Sequence, residues 1–165
     1  MSDTISFEIS IPTDNDGYIL LECSYCGAYF KLTVPDCQDD DLLHIWCPCC
    51  GLISESYLTE EVIELATVKA KNIALNYFYD SIKKLERTNK SNSIIKIKAG
   101  KRPEHERENP LYTRIDELTE YYYKCCKRNA KISPLQRMSA SFCPFCGVID
   151  FGNELDRTKG NYKRI

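Results

Sequence analysis

The 165 residues are 43% hydrophobic and 28% charged, the balance of an ordinary globular chain of one domain or two small ones. No apolar run reaches the roughly 18 residues that a membrane helix needs. The opening MSDTISFEISIPTDND has neither the basic patch nor the apolar stretch of a secretory signal, so the expected location is cytoplasmic. Net charge is −2, unevenly spread: residues 1–66 hold 13 acidic residues against Lys31 alone, and residues 67–165 hold 11 acidic and 21 basic residues. An acidic face and a basic face are expected from that asymmetry.

In chain order, Ile5, Phe7, Ile9 and Ile11 alternate with polar residues at the period of a strand. Pro12 and the run Asp14 to Gly17 then make a turn. Strands are predicted at Tyr18–Glu22 and Tyr29–Val34, an acidic loop at Pro35–Asp41, and an extended approach at Leu42–Trp46. Glu60–Arg87 reads as a long helix. Thr59 stands at its N-cap, Glu60 and Glu61 suit the positive end of the dipole, and Lys83, Lys84 and Arg87 suit the negative end. Its apolar residues, among them Val62, Leu65, Ile73, Phe78, Ile82 and Leu85, recur near helical period. Residues 88–110 form a charged connector with a short strand-like run at Ile94–Lys98. A helical or extended segment, Leu111–Tyr123, follows, and the chain ends in a loose basic tail, Asp156–Ile165.

Ten cysteines in a chain without an export signal argue for metal rather than disulfides, because they come in close pairs. Cys23-Ser-Tyr-Cys26-Gly and Cys47-Pro-Cys-Cys50-Gly are two C-x2-C knuckles separated by twenty residues, the spacing of a four-cysteine zinc site. Each is followed by glycine, the residue best able to take the positive φ at which backbone amides turn around a thiolate. Cys37, Cys49 and His44 are surplus to four-coordination and are read as bystanders. The second cluster, Cys125-Cys126 and Cys143-Pro-Phe-Cys146-Gly, repeats the first. Ile45 to Ile53 aligns with Ser141 to Ile149, and Cys26 aligns with Cys126. On that register Tyr123 stands where Cys23 stands. The fourth ligand of the second site is then Cys125, in a distorted knuckle, or the distant His105, or the second ribbon is degenerate and empty.

Knuckles of the form Cys-Pro-x-Cys-Gly joined by short strands resemble the zinc-ribbon superfamily. The whole chain is similar to small uncharacterised bacterial proteins described as transcription-factor-IIB-type zinc-ribbon proteins. The resemblance covers Tyr18–Ile53 well and Tyr121–Asp150 with the defect at Tyr123. It implies zinc-ribbon modules, antiparallel β in structure, and gives the helix and connector no meaning of their own. With the elements read above, the expectation is an α+β chain of two such modules joined by the helix and the basic connector. The expected division is a ribbon over 1–58, helix and connector over 59–110, a divergent ribbon over 111–155 and a tail over 156–165, with two Zn2+ per chain.

An enzyme is not expected. Four-thiolate sites are of the closed, structural type, and the chain has no H-E-x-x-H, no deaminase His-x-Glu, no phosphate loop and no nucleophile elbow. Two functions remain. Protein docking or self-association through the ribbons tolerates the acidic half. Nucleic-acid binding would draw on Lys83, Lys84, Arg87, Lys90, Lys96, Lys98, Lys101 and Arg102, and on Lys124, Lys127, Arg128, Lys131 and Arg137 beside Tyr121, Tyr122 and Tyr123. Zinc ribbons serve both ends, so the resemblance fixes fold better than function.

Overall fold

The computed structural model describes residues 6–88, 98–112, 115 and 117–151. It is an α+β protein in two compact units, one of residues 1–10 and 60–111, the other of 11–59 and 112–165. No helix among the described residues is long and apolar enough to cross a membrane.

The second unit is built on a four-stranded antiparallel sheet. Strands β1 (Tyr18–Glu22) and β2 (Tyr29–Thr33) form one hairpin, β3 (Thr119–Tyr123) and β4 (Arg128–Ile132) another, in the order β1-β2-β4-β3. The hairpins meet where β2 pairs with β4 at Lys31 and Lys131. Those two lysines occupy the same place in the internal repeat, so a local two-fold axis passes between them. What reads in the sequence as two modules in series is therefore one sheet in which the repeats face each other. Short helices follow each hairpin: α1 (Val34–Cys37), capped by the Thr33 hydroxyl, and α3 (Pro134–Met138), opened by a capping box between Ser133 and Gln136. A small two-stranded sheet, β5 (Ala140–Phe142) with β6 (Ile149–Phe151), completes the second repeat. Its counterpart in the first repeat is reduced to a bridge between Trp46 and Ile53.

Period-2 alternation decides which face is dry. Leu21, Phe30, Leu32, Tyr121, Tyr123, Ala130 and Ile132 pack with Cys23, Cys47, Cys143, Tyr57 and Phe145 into one core. The opposite face carries Lys31 and Lys131, and the N-terminal turn folds over it. Asp14 lies 3.2 Å from Lys31 Nζ and 2.9 Å from Lys131 Nζ, and Asp16 adds a second carboxylate to Lys131. Lys131 also sits 4.6 Å from the centre of the Tyr18 ring, whose hydroxyl donates to Glu120. Burial alone would raise the Asp14 pKa, but Lys131, the Tyr18 amide, Lys31 and the Asp16 amide outweigh it and lower the pKa to about 2. Asp14 thus bridges both lysines on the axis, and Asp16 supplies the second balancing charge. Asp14→Asn leaves Lys31, which is 4% exposed, as a buried cation without its carboxylate. The expected cost is about 3 kcal/mol, read by urea unfolding against the wild type at neutral pH.

The alternating run from Ile5 forms no strand in its described part: residues 6–12 carry no ladder, and only Thr13 bridges to Ile19. Alternation supplies two faces but no partner, Pro12 lacks an amide for a ladder, and the Asp14–Gly17 turn reverses the chain after that single bridge. The acidic loop after Thr33 begins instead as α1. Leu42–Trp46 is irregular except at Trp46.

The first unit contains helix α2 (Glu60–Thr88), one residue longer than its sequence predicts. Residues 98–110 have no regular structure but are pinned along it by asparagines. Asn72 exchanges hydrogen bonds with the backbone of Glu106, and the Asn76 carboxamide oxygen accepts from Arg102 and lies 3.0 Å from His105 Nε2. Lys71 pairs with Glu106. The strand-like run Ile94–Ile97 and the tail Asp156–Ile165 lie outside the described residues.

Candidate metal centre

The first cluster joins the turn after β1 to the turn after Trp46. Sulfurs of Cys23, Cys26, Cys47 and Cys50 all lie within 4.8 Å of one another, with Cys23 to Cys50 at 3.8 Å and Cys26 to Cys47 at 3.6 Å. Four thiolates around a zinc with bonds of about 2.3 Å in a tetrahedron stand about 3.8 Å apart, so the donor set and its dimensions fit that ion. Backbone geometry explains the convergence: Gly27 N–H donates to the Cys23 carbonyl at 2.8 Å, and Gly51 N–H to the Cys47 carbonyl at 2.9 Å. These turns aim amides at sulfur, including Cys49 N–H at Cys47 Sγ. Burial pushes the Cys47 thiol well up, against those amides. Burial likewise opposes ionisation of Cys23, but the Cys26 and Tyr25 amides win and lower it. Thiolates in such a pocket call for a cation.

The second cluster is Cys125, Cys126, Cys143 and Cys146, again with all sulfurs within 4.8 Å and Cys125 to Cys146 at 3.5 Å. The turn is the same as in the first repeat. Lys127 N–H donates to the Tyr123 carbonyl at 2.8 Å, as Gly27 does to Cys23. Tyr123 therefore does stand in the place of Cys23, with its ring fully buried and its hydroxyl 3.0 Å from Ser141 Oγ. Cys125, at the position of the exposed Tyr25, brings in the fourth sulfur. His105 is hydrogen-bonded to Asn76 on α2 and is not in the cluster.

Lys127 occupies the glycine position of this knuckle with φ +55°, a region that costs a side chain of order 1 kcal/mol. Lys127→Gly removes that strain at a smaller entropic cost. The expected result is unchanged stability or a gain of up to about 1 kcal/mol, with metal content unaltered, measured by thermal unfolding and elemental analysis.

Cys37 and Cys49 lie outside both clusters. Burial and Asp36 raise the Cys37 thiol to about 11, as suits a half-buried apolar side chain on α1. Tyr57 has no spacing signature in the sequence, yet it braces the first site. Its hydroxyl accepts from Ser54 N–H and lies 2.7 Å from the Ile45 carbonyl, and its own carbonyl accepts from Glu22 at the end of β1.

The basic residues are dispersed. Lys83, Lys84 and Arg87 lie exposed on α2, and Lys98, Lys101 and Arg102 in the segment beside it. Lys83 and Arg102 approach the Tyr79 ring at 5.5 and 6.0 Å. Lys96 is outside the described residues. In the other unit, Lys127 is in the knuckle, Arg128 pairs with Asp36 and Asp39 and covers Phe145, and Lys131 pairs with Asp14 and Asp16.

The chain is thus an α+β protein with two four-cysteine clusters placed to hold metal, an arrangement consistent with zinc-ribbon-like modules. Comparison with protein-family models, curated proteins and solved structures finds no match.

Proposed function

We propose that this is a non-enzymatic zinc protein that docks on a protein partner, with Cys23, Cys26, Cys47 and Cys50 holding one ion and Cys125, Cys126, Cys143 and Cys146 the other. When bound, zinc supplies cross-linking, not an open coordination position for chemistry. The observation that carries the docking reading is a contrast on the second repeat. Two of its cations, Arg128 and Lys131, are paired with the chain's own carboxylates, while Leu135, Met138 and Phe151 stand 76%, 68% and 57% exposed. Ala140, two residues beyond Met138, pairs with Phe151, so α3 leads directly into the strand that pairs with Phe151. Neutralised cations attract phosphates poorly, and exposed apolar side chains on neighbouring elements suit a protein surface.

A nucleic-acid reading draws support from α2, where Lys83, Lys84 and Arg87 share the helix with exposed Tyr77 and Phe78. Anisotropy titrations with single- and double-stranded DNA and RNA, at low and near-physiological salt, separate the two. Docking predicts no binding at low salt. Tight, steeply salt-dependent binding that Lys98→Glu, Lys101→Glu and Arg102→Glu together abolish would replace the docking reading with the phosphate-contact one. On the docking side, Met138→Glu with Phe151→Glu is expected to release the partner while leaving zinc content and melting temperature unchanged.

A further inference from the structure

The two clusters are interlocked reciprocally. Trp46 N–H donates to the Pro144 carbonyl at 2.9 Å, and Phe142 N–H donates to the Pro48 carbonyl at 2.9 Å. Trp46 and Phe142 are repeat mates, as are Pro48 and Pro144, the residues that follow the first cysteine of each Cys-Pro knuckle. Their rings cross over in the same way. A Cβ on Gly147 would lie 2.6 Å from the Trp46 indole, and one on Gly51 would lie 2.8 Å from the Phe142 ring. Each aromatic ring is thus laid on the glycine that ends the other site's knuckle. This is a self-complementary interface of the kind a two-fold dimer makes, here within one chain and placed directly behind four of the eight cysteines.

We infer that Trp46 and Phe142 are positioning residues that make the two metal sites load as one unit, zinc at either cluster raising the affinity of the other. The inference rests on both clusters binding zinc, as proposed above. A four-cysteine knuckle acquires its fold with its metal. With one site empty, its Cys-Pro-x-Cys-Gly turn is not held, so the loaded site loses both the carbonyl that takes its aromatic residue's amide and the glycine surface under that ring. With both sites filled, all four contacts close together. The same contacts are made from either side, so the coupling is reciprocal, as linkage requires. A tenfold mutual gain in affinity corresponds to about 1.4 kcal/mol of coupling, within the range usual between linked sites.

The test is native mass spectrometry of the full-length, reduced, metal-free chain during sub-stoichiometric zinc addition. At one zinc per chain, coupling predicts metal-free and two-zinc species with the one-zinc species depleted below both. A dominant one-zinc species, joined to an unweakened first site in the variant below, overturns the inference, while a chain that takes up no zinc overturns it together with the zinc reading itself. A second measurement covers unequal intrinsic affinities. In Cys143→Ser/Cys146→Ser, chelator competition is expected to show the first site weakened tenfold or more against the wild type, and equal affinity would overturn the coupling. In Trp46→Ala/Phe142→Ala, which keeps all eight cysteines, two zincs are still expected to bind but through a populated one-zinc species. A one-zinc species as depleted as in the wild type would relieve these rings of the coupling role.

Discussion

Stripping the chain of zinc with a strong chelator under reducing conditions is expected to abolish the cooperative unfolding of the four-stranded sheet. Strands of three to five residues and a core in which three of the twelve clustered residues are cysteines leave little apolar area to hold that fold. Structural zinc sites contribute about 10–16 kcal/mol in small peptides, as much as the whole stability of a typical domain. Without the ions, eight thiols are left crowded within two clusters, and burial disfavours ionising Cys47 and Cys143 there. Cys47→Ser is expected to reproduce the effect by breaking the first site. Cys49→Ser, one knuckle position from Cys50 but exposed and outside the cluster, is expected to retain full metal content and an unchanged melt. Zinc content by elemental analysis and thermal circular dichroism check both. An apo chain that still melts at the wild-type temperature would remove metal from the account of this fold.

Gly147→Ala carries the second large effect. The residue has φ +71°, which costs an alanine of order 1 kcal/mol or more, and its new methyl would meet the Trp46 ring at 2.6 Å. The Trp46 backbone is held by a bridge to Ile53 and by its amide to Pro144, so relief requires the indole itself to swing off the glycine. The expected destabilisation is about 4 kcal/mol, combining backbone strain with overpacking. Gly27→Ala meets the same backbone strain but nothing within 4 Å. The difference between the two variants in urea unfolding therefore isolates the ring contact. Equal losses at both glycines would mean that Trp46 does not hold Gly147 in solution.

Much of this site is legible in the chain. Cys-x-x-Cys followed by glycine fixes a local turn, and that geometry needs no tertiary information. The repeat register that puts Tyr123 in the place of Cys23 is likewise local, and the Lys127 amide confirms it. The helix at Glu60 is announced by its acidic first turn, and its end by Arg87. The short helices are missed for a different reason. Thr33-Val-Pro-Asp36 and Ser133-Pro-Leu-Gln136 both carry capping residues three apart with proline in the first turn, but four or five residues give no periodicity to see. Hidden altogether are the interactions between distant positions. Nothing in the spacing of Lys31 and Lys131 tells that they face each other, that Asp14 serves both, or that Tyr57 ties Ser54, Ile45 and Glu22 together. Strand alternation over Phe7–Ile11 misleads because it reports two faces of a segment and not whether a sheet edge is available to receive it.

The axis between Lys31 and Lys131 has a consequence for how such a fold behaves on dilution. Two separate copies of a half-module, meeting through the same clasp, would part as their concentration fell and would have to be identical at every position. Here residues 60–111 tether the halves, so each sees the other at a fixed effective concentration however dilute the protein. The tether also frees each half from matching its mate: a tyrosine replaces a ligand on one side only, and the first repeat's Asp14 and Asp16 serve the lysines of both. A melting temperature independent of protein concentration is the signature of that economy.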